Sequence, residues 1–488
     1  MQSPPEFFDD LGLSRIIARA GRGCEELWPF YTPLSDPAVI RYRQEVGRDL
    51  EDAALRYRFA GLAQQLRALS RQLSAHRTED FPWVRCSDLL SAAGQYLEQL
   101  RAFLEDFPYG SVHSEGLESF LLHIRQHLNS ARTVQMSMEL SKLERELCGV
   151  DYCILLDGNT LRVGGPGKSQ EIDGLVESLF DRFGQENFGG GTCQAPGGEQ
   201  DVRNEDAVLS LLAREHPETF RRLADFGRRY GDFADPGILA FARELPFYLG
   251  YLDATDGIAR AGGSFCYPAL LDGWDGCRGE DGFDLALAMR LQEAGGKPVE
   301  NSFALHGRER ILVVTGPNQG GKTTYARMLG QIFYLASLGV RVPGRAAALR
   351  IPDRICTHFG KAGPDGADGL RQELTRLRGL LEQTTQGSLV ILNEIFASAS
   401  HGDGVYLGEK LMERLTDTGC MAVFVTFLYE LADCGPAVVS VMSEIRPGTA
   451  AERSYHIARH APNGCAYALS LAEKLGLTRE KITGRLEQ

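Results

Sequence analysis

The chain has 488 residues, of which 43% are hydrophobic and 24% charged, and this length is enough for about three domains with separate cores. Its formal net charge of −13 argues against a strong sequence-independent grip on nucleic acid, which needs Lys and Arg to neutralise phosphates, although one face could still be basic. The N-terminal sequence MQSPPEFFDDLG lacks the apolar stretch of a secretory signal, and no apolar run reaches the roughly 18 residues that span a bilayer. We therefore expect a cytoplasmic protein with no membrane contact.

The eleven cysteines are scattered along the chain without a C-x-x-C pair. No histidines flank the cysteines in a ligand pattern, so the spacing does not indicate a zinc site. We interpret these residues as small buried hydrophobic side chains or unreactive thiols in a reducing compartment.

Residues 1–150 are predicted to be mostly helical. Apolar residues repeat at alternating spacings of three and four over Leu55–Leu73, which gives one apolar stripe along a helix. Met136, Leu140, Leu143 and Leu147 form a similar stripe on a second long helix. Both helices are predicted to be packing elements.

The pattern changes at residue 151. Tyr152–Leu156 and Thr160–Val163 predict two strands joined by a turn. Two further predicted elements follow, a helix over Glu171–Phe183 and a glycine-rich loop over Gly189–Gly198. Residues 151–200 contain eight acidic and three basic residues, so we interpret this acidic tip as a structural cap or a protein-contact surface rather than a DNA-binding one.

Helices are predicted to resume from Asn204 to about Leu252, and Phe265–Pro268 ends the helical region. Strands and helices then alternate: the predicted strands cover 311–315, 388–393 and 420–426, an apolar segment covers 346–351, and the predicted helices cover 323–338, 368–384 and 404–418. This alternation with β-branched strands indicates a mainly parallel sheet covered by helices on both faces. We expect an α + α/β chain, with a helical domain over 1–295 and a nucleotide-binding domain over 296–488.

The segment Arg310–Gly330 contains the pattern G-x-x-x-x-G-K-[ST], which follows an apolar strand and opens a helix, as a phosphate-binding loop does. Its glycines let backbone N–H groups turn toward phosphate oxygens, and the helix N-terminus adds partial positive charge. The predicted nucleotide-binding residues are Gly316, Pro317, Asn318, Gln319, Gly320, Gly321, Lys322, Thr323 and Thr324. Lys322 is predicted to reach the β- and γ-phosphates of ATP and to act in catalysis, and the Thr323 hydroxyl to bind Mg²⁺. A glycine-rich turn that binds no nucleotide is the alternative.

A second strand of the predicted site is Ser388–Glu394. In P-loop ATPases the corresponding strand commonly ends in Asp-Glu, where the Asp supports Mg²⁺ and the Glu polarises the attacking water. Asn393 occupies the Asp position, and its uncharged amide can still bind Mg²⁺ through a water, although more weakly. Glu394 is predicted to be the catalytic base, and a helix-capping or salt-bridging carboxylate is the alternative.

The segment Thr315–Tyr325, TGPNQGGKTTY, is similar to the phosphate loop of the MutS-type ATPases, a branch of the ABC ATPase class, including a Pro-Asn pair that generic P-loops lack. Further resembling segments are Gly339–Pro343, Asp353–Ile355 with Gly360, Ser388–Glu394, Asp403-Gly404, Glu430-Leu431 and Gly464–Ala472, and, upstream, Pro33–Val46 and Leu249–Asp253 with Tyr267-Pro268. The resemblance is strong over 296–488 and looser before it.

This resemblance implies a long helical core and lever domain followed by an ABC-type P-loop ATPase domain. It also implies ATP and Mg²⁺ as ligands and a homodimer formed through the ATPase domains. The family's mismatch-recognition domain with its Phe-x-Glu wedge, its connector domain and a C-terminal Smr-type nuclease extension have no counterpart in the sequence. We therefore expect a short subfamily of MutS-like ATPases that does not recognise mismatches in the usual way.

Three departures from the family pattern fall inside the predicted ATP site. Asp368-Gly369 occupies the position of the signature loop that supplies Ser-Thr to the partner's γ-phosphate, when Glu373 is aligned with the family's Glu. Phe427 occupies the position of the switch histidine, and the segment 396–400 replaces the family's D-loop. The segment Val299–Asn301 is a candidate for contact with the adenine base.

Three hypotheses of function remain open from the sequence. The first is a dimeric ATP-dependent switch that hydrolyses ATP slowly and closes its levers on a DNA structure in repair or recombination. The second is a nucleotide-sensing protein that binds a protein or RNA partner, which the acidic tip and the net charge favour. The third is a pseudo-ATPase that binds ATP without turnover, which Asn393, Phe427 and Asp368 favour.

Overall fold

The computed structural model describes residues 5–75, 81–105, 107, 110–157, 160–164, 199–360, 367–396, 399–445 and 453–461. These residues form two compact units. The first unit takes its residues from Met1–Ala53, Ser114–Gly116 and Pro246–Gln488, and the second from Ala54–His113 and Leu117–Leu245. The division into domains 1–295 and 296–488 stays a prediction.

The described helices in chain order are α1 (Phe7–Leu11), α2 (Leu13–Gly21), α3 (Pro37–Asp49), α4 (Ala53–Ala75), α5 (Pro82–Glu105), α6 (Glu115–Asn129), α7 (Ala131–Cys148), α8 (Glu199–Glu215), α9 (Pro217–Tyr230), α10 (Pro236–Arg260), α11 (Leu285–Glu293), α12 (Lys322–Leu338), α13 (Ala367–Gln383) and α14 (His401–Thr418). Short 3₁₀ helices cover Glu25–Tyr31 and Tyr429–Asp433. The strands are β1 (Cys153–Asp157), β2 (Thr160–Gly164), β3 (Phe265–Cys266), β4 (Ala269–Leu270), β5 (Gly276–Gly282), β6 (Asn301–His306), β7 (Ile311–Thr315), β8 (Val342–Pro343), β9 (Ala346–Leu349), β10 (Ile355–Phe359), β11 (Leu389–Asn393), β12 (Met421–Val425), β13 (Val438–Ile445) and β14 (Arg453–Arg459).

The two predicted apolar stripes lie on helices of the second unit and are buried there. On α4 the stripe from Leu55 to Leu69 is buried, and Leu73 is partly buried. Phe59 lies at the centre of an aromatic cluster with Phe103, Phe107, Phe120 and Phe241, in which the last two rings stack at 3.7 Å. On α7 Met136, Leu140 and Leu143 are buried and Leu147 is partly buried. Helical periodicity therefore predicted the buried faces of this unit correctly, because each helix buries one stripe.

The predicted hairpin at the start of the acidic tip is confirmed. Strands β1 and β2 pair antiparallel, with Cys153 opposite Gly164 and Asp157 opposite Thr160. The predicted helix over 171–183 and the predicted loop over 189–198 lie outside the described residues. The interpretation of the tip as a cap or contact surface stays a prediction.

The first unit contains a six-stranded sheet in the order β10-β11-β12-β7-β13-β14. Its neighbouring strands are parallel except for the last pair, β13 and β14, which run antiparallel. The predicted mainly parallel sheet is thus confirmed, and so are its predicted strands at 311–315, 388–393 and 420–426. Strands β10, β13 and β14 were not predicted.

The apolar segment at 346–351, for which no sheet was predicted, contains a strand. Its strand β9 belongs to a separate four-stranded sheet of the first unit, in the order β4-β9-β5-β6, and not to the parallel sheet. Strands β3 and β8 form a further two-stranded ladder. The sequence could not assign β9 to a sheet, because a short Ala-rich strand fits either sheet and only its long-range pairing with β5 selects one.

Alternate residues of each central strand belong to two different cores. Leu312 and Val314 pack in one cluster with residues of α1, α2 and α12, and Ile311 and Val313 pack in another with residues of α13 and α14. This division follows from the two-residue period of a strand, which sends successive side chains to opposite faces. The sheet is therefore covered on both faces, which explains why its strands are apolar throughout.

The start of the chain packs onto this sheet within the same unit. The Gln331 amide on α12 donates to the Leu11 carbonyl oxygen at 2.8 Å, and the Thr357 hydroxyl on β10 donates to the Asp10 carboxylate at 2.7 Å. These contacts could not be predicted from the sequence, because their partners lie more than 300 residues apart. Among the described residues, no helix is both long and apolar enough to cross a membrane.

Candidate nucleotide-binding site

The glycine-rich loop joins β7 to α12 at the carboxyl end of the parallel strands, where α/β sheets place their ligand sites. Gly316 and Gly321 have φ angles of 125° and 93°, which L side chains rarely adopt. Gln319, between them, also has a positive φ of 59°. The loop therefore needs glycine at positions 316 and 321.

Ser443 on β13 supports this loop and was missed by the sequence analysis. Its side chain is buried, and its hydroxyl donates to the Gly320 carbonyl oxygen at 2.7 Å. A Cβ atom at Gly316 would lie 3.0 Å from the Ser443 Cβ, and one at Gly320 would lie 2.8 Å from the Ser443 Oγ. Close packing by a strand residue that lies 123 positions after Gly320 thus gives a second reason for glycine at position 316 and a first reason for glycine at position 320.

The Lys322 side chain folds back over the start of the loop and is buried. Its ammonium donates to the carbonyl oxygens of Gly316 and Pro317 at 2.9 and 3.0 Å. The ring of Phe427 lies on the same ammonium, with its centroid 4.1 Å from Nζ. The positive charge is thus held at the loop by two carbonyl oxygens and an aromatic face.

Thr323 and Asn393, the two residues predicted to bind Mg²⁺, lie side by side. The Thr323 hydroxyl donates to the Asn393 Oδ1 at 3.0 Å, and Asn393 is buried at the end of β11. Strand β12 lies between β7 and β11 in the sheet, so the two motifs are not on neighbouring strands. The hydroxyl reaches Asn393 because it sits at the first turn of α12, beyond the carboxyl ends of these strands.

Glu394 follows β11 in a left-handed backbone conformation, with a φ of 53°. Phe396 also has a positive φ, of 60°, so the backbone bends twice within three residues. Hydrogen bonds hold the segment on both sides: the Glu394 N–H donates to the Val425 carbonyl at 2.9 Å, and the Phe396 N–H to the Glu373 carboxylate at 3.1 Å. Non-glycine residues with such angles persist where the surroundings enforce them, and they concentrate at functional sites.

The Glu373 carboxylate that holds this bend is itself packed against a histidine. His358 Nε2 on β10 lies 3.7 Å from Glu373, and both side chains are largely buried. Burial lowers the pKa of the His358 imidazole, and the Glu373 charge opposes that shift without reversing it. The lowered pKa favours a neutral His358 imidazole beside the Glu373 carboxylate that holds the bent segment.

A cavity of about 460 Å³ lies in front of the loop, within the size range of small-molecule sites. Lys322, Thr323 and Glu394 line one part of it. The remaining lining residues are Asp284, Leu287, Leu291, Lys297, Pro298, Val299, Asn301, Gln319, Gly321, Thr324 and Tyr455. Of the predicted nucleotide-binding residues, Gln319, Gly321, Lys322, Thr323 and Thr324 thus line the cavity. Gly316, Pro317, Asn318 and Gly320 form the loop behind it.

Tyr455 on β14 is an aromatic residue at this cavity that the sequence analysis missed. Its backbone carbonyl accepts a hydrogen bond from the Asn301 amide at 3.1 Å, and the Asn301 Oδ1 accepts one from the Ile457 N–H at 2.7 Å. Its side chain lies near Gly321 of the loop. Val299 and Asn301, named as candidates for the base, line the same cavity, so the apolar and aromatic residues gather beside the phosphate loop.

Some residues that the sequence analysis singled out are not placed by the described structure. The side chain of Asp368, residues 397–398 and the segment 464–472 lie outside the described residues. The roles assigned to them from the family resemblance stay predictions. The described residues bring together a lysine, a hydroxyl, an amide oxygen and a carboxylate, a set that suits a phosphate ester and a hydrated hard cation.

Comparison with known proteins identifies this part of the chain. The family model for MutS domain V matches residues 312–478. The DNA mismatch repair protein MutS of Synechococcus sp. (strain CC9605) is 30% identical over 232 residues, which are 46% of this chain and 25% of that protein. The DNA mismatch repair protein MutS 2 of Halobacterium salinarum is 30% identical over 236 residues, or 47% of this chain and 27% of that protein.

A third relative is the endonuclease MutS2 of Thermus thermophilus, which is 32% identical over 188 residues, or 38% of this chain and 25% of that protein. The chain thus spans about a quarter of the length of the curated relatives it matches. The matched residues 312–478 include the phosphate loop, the strand that ends in Asn393, and Glu394. The C-terminal part of the chain is therefore similar to domain V of the MutS proteins.

Proposed function

We propose that residues 296–488 form an ABC-type P-loop ATPase domain that binds ATP with Mg²⁺ and hydrolyses it slowly. The observation that carries this proposal is the hydrogen bond between the Thr323 hydroxyl and the Asn393 amide, at the wall of a cavity that Lys322 and Glu394 also line. Two motifs that lie 70 residues apart in sequence thus meet where a nucleotide's phosphates and a cation can bind together. A glycine-rich turn that binds no nucleotide would not require Thr323 and Asn393 to be in contact.

The phosphates of ATP are held by the loop in this proposal. The Lys322 ammonium binds the β- and γ-phosphates, and the backbone N–H groups of the loop and of the first turn of α12 bind the remaining oxygens. The loop is already shaped for this role, because its positive φ angles and the Ser443 contact fix its backbone. Little ordering is then needed when the nucleotide binds.

Thr323 and Asn393 are the residues that hold Mg²⁺, the first through its hydroxyl and the second through a water. Their oxygens are adjacent and uncharged, which fits a cation that keeps several waters and takes its negative partners from the phosphates. When bound, Mg²⁺ neutralises charge on the phosphate oxygens. Because Asn393 carries no charge, the chain itself attracts the cation less than an aspartate would, and slow turnover follows.

Glu394 acts as the base that polarises the attacking water. Its backbone is bent into the left-handed region and fixed by hydrogen bonds to Val425 and, through Phe396, to Glu373. A carboxylate on such a fixed turn keeps its position in the cavity without a large loss of entropy on substrate binding. The adenine base lies against Tyr455 and the segment Val299–Asn301, since these supply the aromatic and apolar part of the cavity.

The relatives named above are DNA mismatch repair proteins and an endonuclease. By this relationship we propose that the protein is a homodimer through its ATPase domains and acts on a DNA structure in repair or recombination. Binding of DNA that falls steeply with salt, and that differs with and without ATP, is the expected behaviour. Binding that does not change with salt contradicts the DNA partner and favours a protein partner.

Nucleotide binding without turnover is the second candidate function. Two observations favour it: the neutral Asn393 next to Thr323, and the ring of Phe427 on the Lys322 ammonium. The bent and fixed Glu394 favours turnover instead. Measurement of phosphate release in the presence of Mg²⁺ decides between them.

The experiment compares the wild type with Lys322→Ala and Glu394→Gln. Lys322→Ala is expected to abolish ATP binding, and Glu394→Gln to retain bound ATP without releasing phosphate. Lys410→Ala is the matched control, because this lysine is exposed on α14 and pairs only with Glu413 among the contacts described. Equal ATP binding by Lys322→Ala and the control would refute the proposed function, and equal turnover in wild type and Glu394→Gln would refute the role of Glu394.

A further inference from the structure

The contact between Phe427 and Lys322 is the feature of the site that the proposed function does not explain. The ring centroid lies 4.1 Å from the Lys322 Nζ, well within the range of a cation–π interaction. The ring is 39% exposed, so Phe427 is not a core residue that happens to touch the lysine. Burial in the core therefore does not explain why the Phe427 ring lies on the Lys322 ammonium.

The backbone around Phe427 is fixed on both sides. The buried Thr426 donates its N–H to the Val314 carbonyl of β7 at 3.1 Å, and its hydroxyl accepts a hydrogen bond from the Leu428 N–H at 3.1 Å. The 3₁₀ helix at Tyr429–Asp433 follows, with Leu431 buried in the core. Phe427 thus projects from a short, pinned turn next to the strand that carries the phosphate loop.

The Lys322 ammonium has three N–H donors. Two of them go to the carbonyl oxygens of Gly316 and Pro317, and the Phe427 ring lies on the ammonium as well. A lysine in this arrangement must give up part of its contacts before it can bind a phosphate fully. The ring is one of these contacts, because an anion and the negative face of an aromatic ring compete for the same charge.

We infer that Phe427 competes with the terminal phosphates of ATP for the Lys322 ammonium and so sets the affinity of the site for nucleotide. This inference rests on the proposed function, because it assigns a further residue to the same phosphate site. Phe427 acts through Lys322 and is thus a positioning residue rather than a catalytic one. From the usual strength of a cation–π contact, the ring weakens ATP binding about 2- to 30-fold.

The test replaces Phe427 by mono-, di- and trifluorinated phenylalanine, whose rings keep nearly the same size while their faces become progressively less negative. Affinity for ATP in the presence of Mg²⁺ is measured by calorimetric titration, and thermal unfolding checks that each variant is folded. The affinity is expected to rise with each fluorine, toward the same 2- to 30-fold gain that Phe427→Leu is expected to give. An affinity that stays level or falls along the series overturns the inference.

Two further variants separate this inference from the proposed function. Tyr406→Leu is the matched control, since it removes another exposed aromatic ring, on α14, and is expected to leave ATP affinity unchanged. Lys322→Ala is expected to lose ATP binding. If it does and the fluorinated series is level, the inference alone fails. If Lys322→Ala binds ATP as the wild type does, or if no variant binds ATP, the proposed function fails and the inference with it.

Discussion

Replacing Asn393 by aspartate tests the account of the cation site most directly. The substitution keeps the shape of the side chain and places a charge beside the Thr323 hydroxyl, whose oxygen lies 3.0 Å from Oδ1. We expect Asn393→Asp to bind Mg²⁺ more tightly in the presence of ATP and to release phosphate faster than the wild type. It is also expected to fold less stably when Mg²⁺ is absent.

The magnitude follows from three contributions. A hydrogen bond to a charged acceptor contributes about 1.5–3 kcal/mol, against about 0.5–1.5 kcal/mol for a neutral one. Attraction between unit charges about 4 Å apart near a protein surface contributes about 4 kcal/mol. The water between this side chain and the cation screens that attraction, whereas the desolvation of a carboxylate at a position only 6% exposed costs several kcal/mol on folding and so lowers the stability of the apoprotein. The expected net gain is about 1–2 kcal/mol, or roughly 5- to 30-fold in Mg²⁺ affinity.

The assay is a titration of Mg²⁺ at fixed ATP, read by single-turnover phosphate release. Asn129→Asp is the matched control, since it makes the same charge change on an exposed position at the end of α6, in the other compact unit. The reasoning is refuted if Asn393→Asp and the wild type require the same Mg²⁺ concentration. A destabilised apoprotein with unchanged Mg²⁺ dependence would show that the side chain is structural and does not contribute to the cation site.

Three other predictions concern stacking of the adenine base, the stability contributed by a buried ion pair, and the pH dependence of stability. Tyr455→Ala is expected to weaken ATP binding about 5- to 150-fold while Tyr455→Phe retains it, because base–aromatic stacking contributes about 1–3 kcal/mol. Equal affinities of Tyr455→Ala and the wild type in a nucleotide titration would contradict a stacking role. Arg341→Ala is expected to lower the free energy of unfolding by about 3–5 kcal/mol in urea, since the largely buried guanidinium pairs with Glu51 and Asp256, and a loss below about 1 kcal/mol would refute this. Burial lowers the folded-state pKa of His358, so this residue's contribution to stability is present above the unfolded pKa and is lost as pH falls through the folded pKa. His358→Gln should therefore lose less stability than the wild type on acidification, and parallel pH–stability curves would contradict it.

The glycine-rich turn between β7 and α12 could be predicted from the sequence because all its requirements are local, and its role as a phosphate loop stays a prediction. A strand, a glycine-rich turn and a helix follow one another between Ile311 and Leu338, and two of the glycines are needed by the backbone angles of that same turn. The buried stripes of α4 and α7 were predicted for a similar reason, since the period of a helix is visible in a short segment. Strands β10, β13 and β14 were not predicted, because they take their definition from the neighbours with which they pair.

The surroundings of the loop were decided only by the tertiary structure. The sequence identified Phe427 as a departure from the family pattern. It did not indicate that the Phe427 ring lies on Lys322, more than 100 residues earlier in the chain. It gave no sign that Tyr455 borders the cavity or that Ser443 supports the loop. Ser443 and Tyr455 lie on β13 and β14, and Phe427 lies on the turn after β12, so the order β12-β7-β13-β14 brings them together. Local sequence thus determined that this chain has a glycine-rich turn between a strand and a helix, with Lys322 at the start of that helix. The order of strands in the sheet, which long-range pairing sets, determined which side chains surround this lysine.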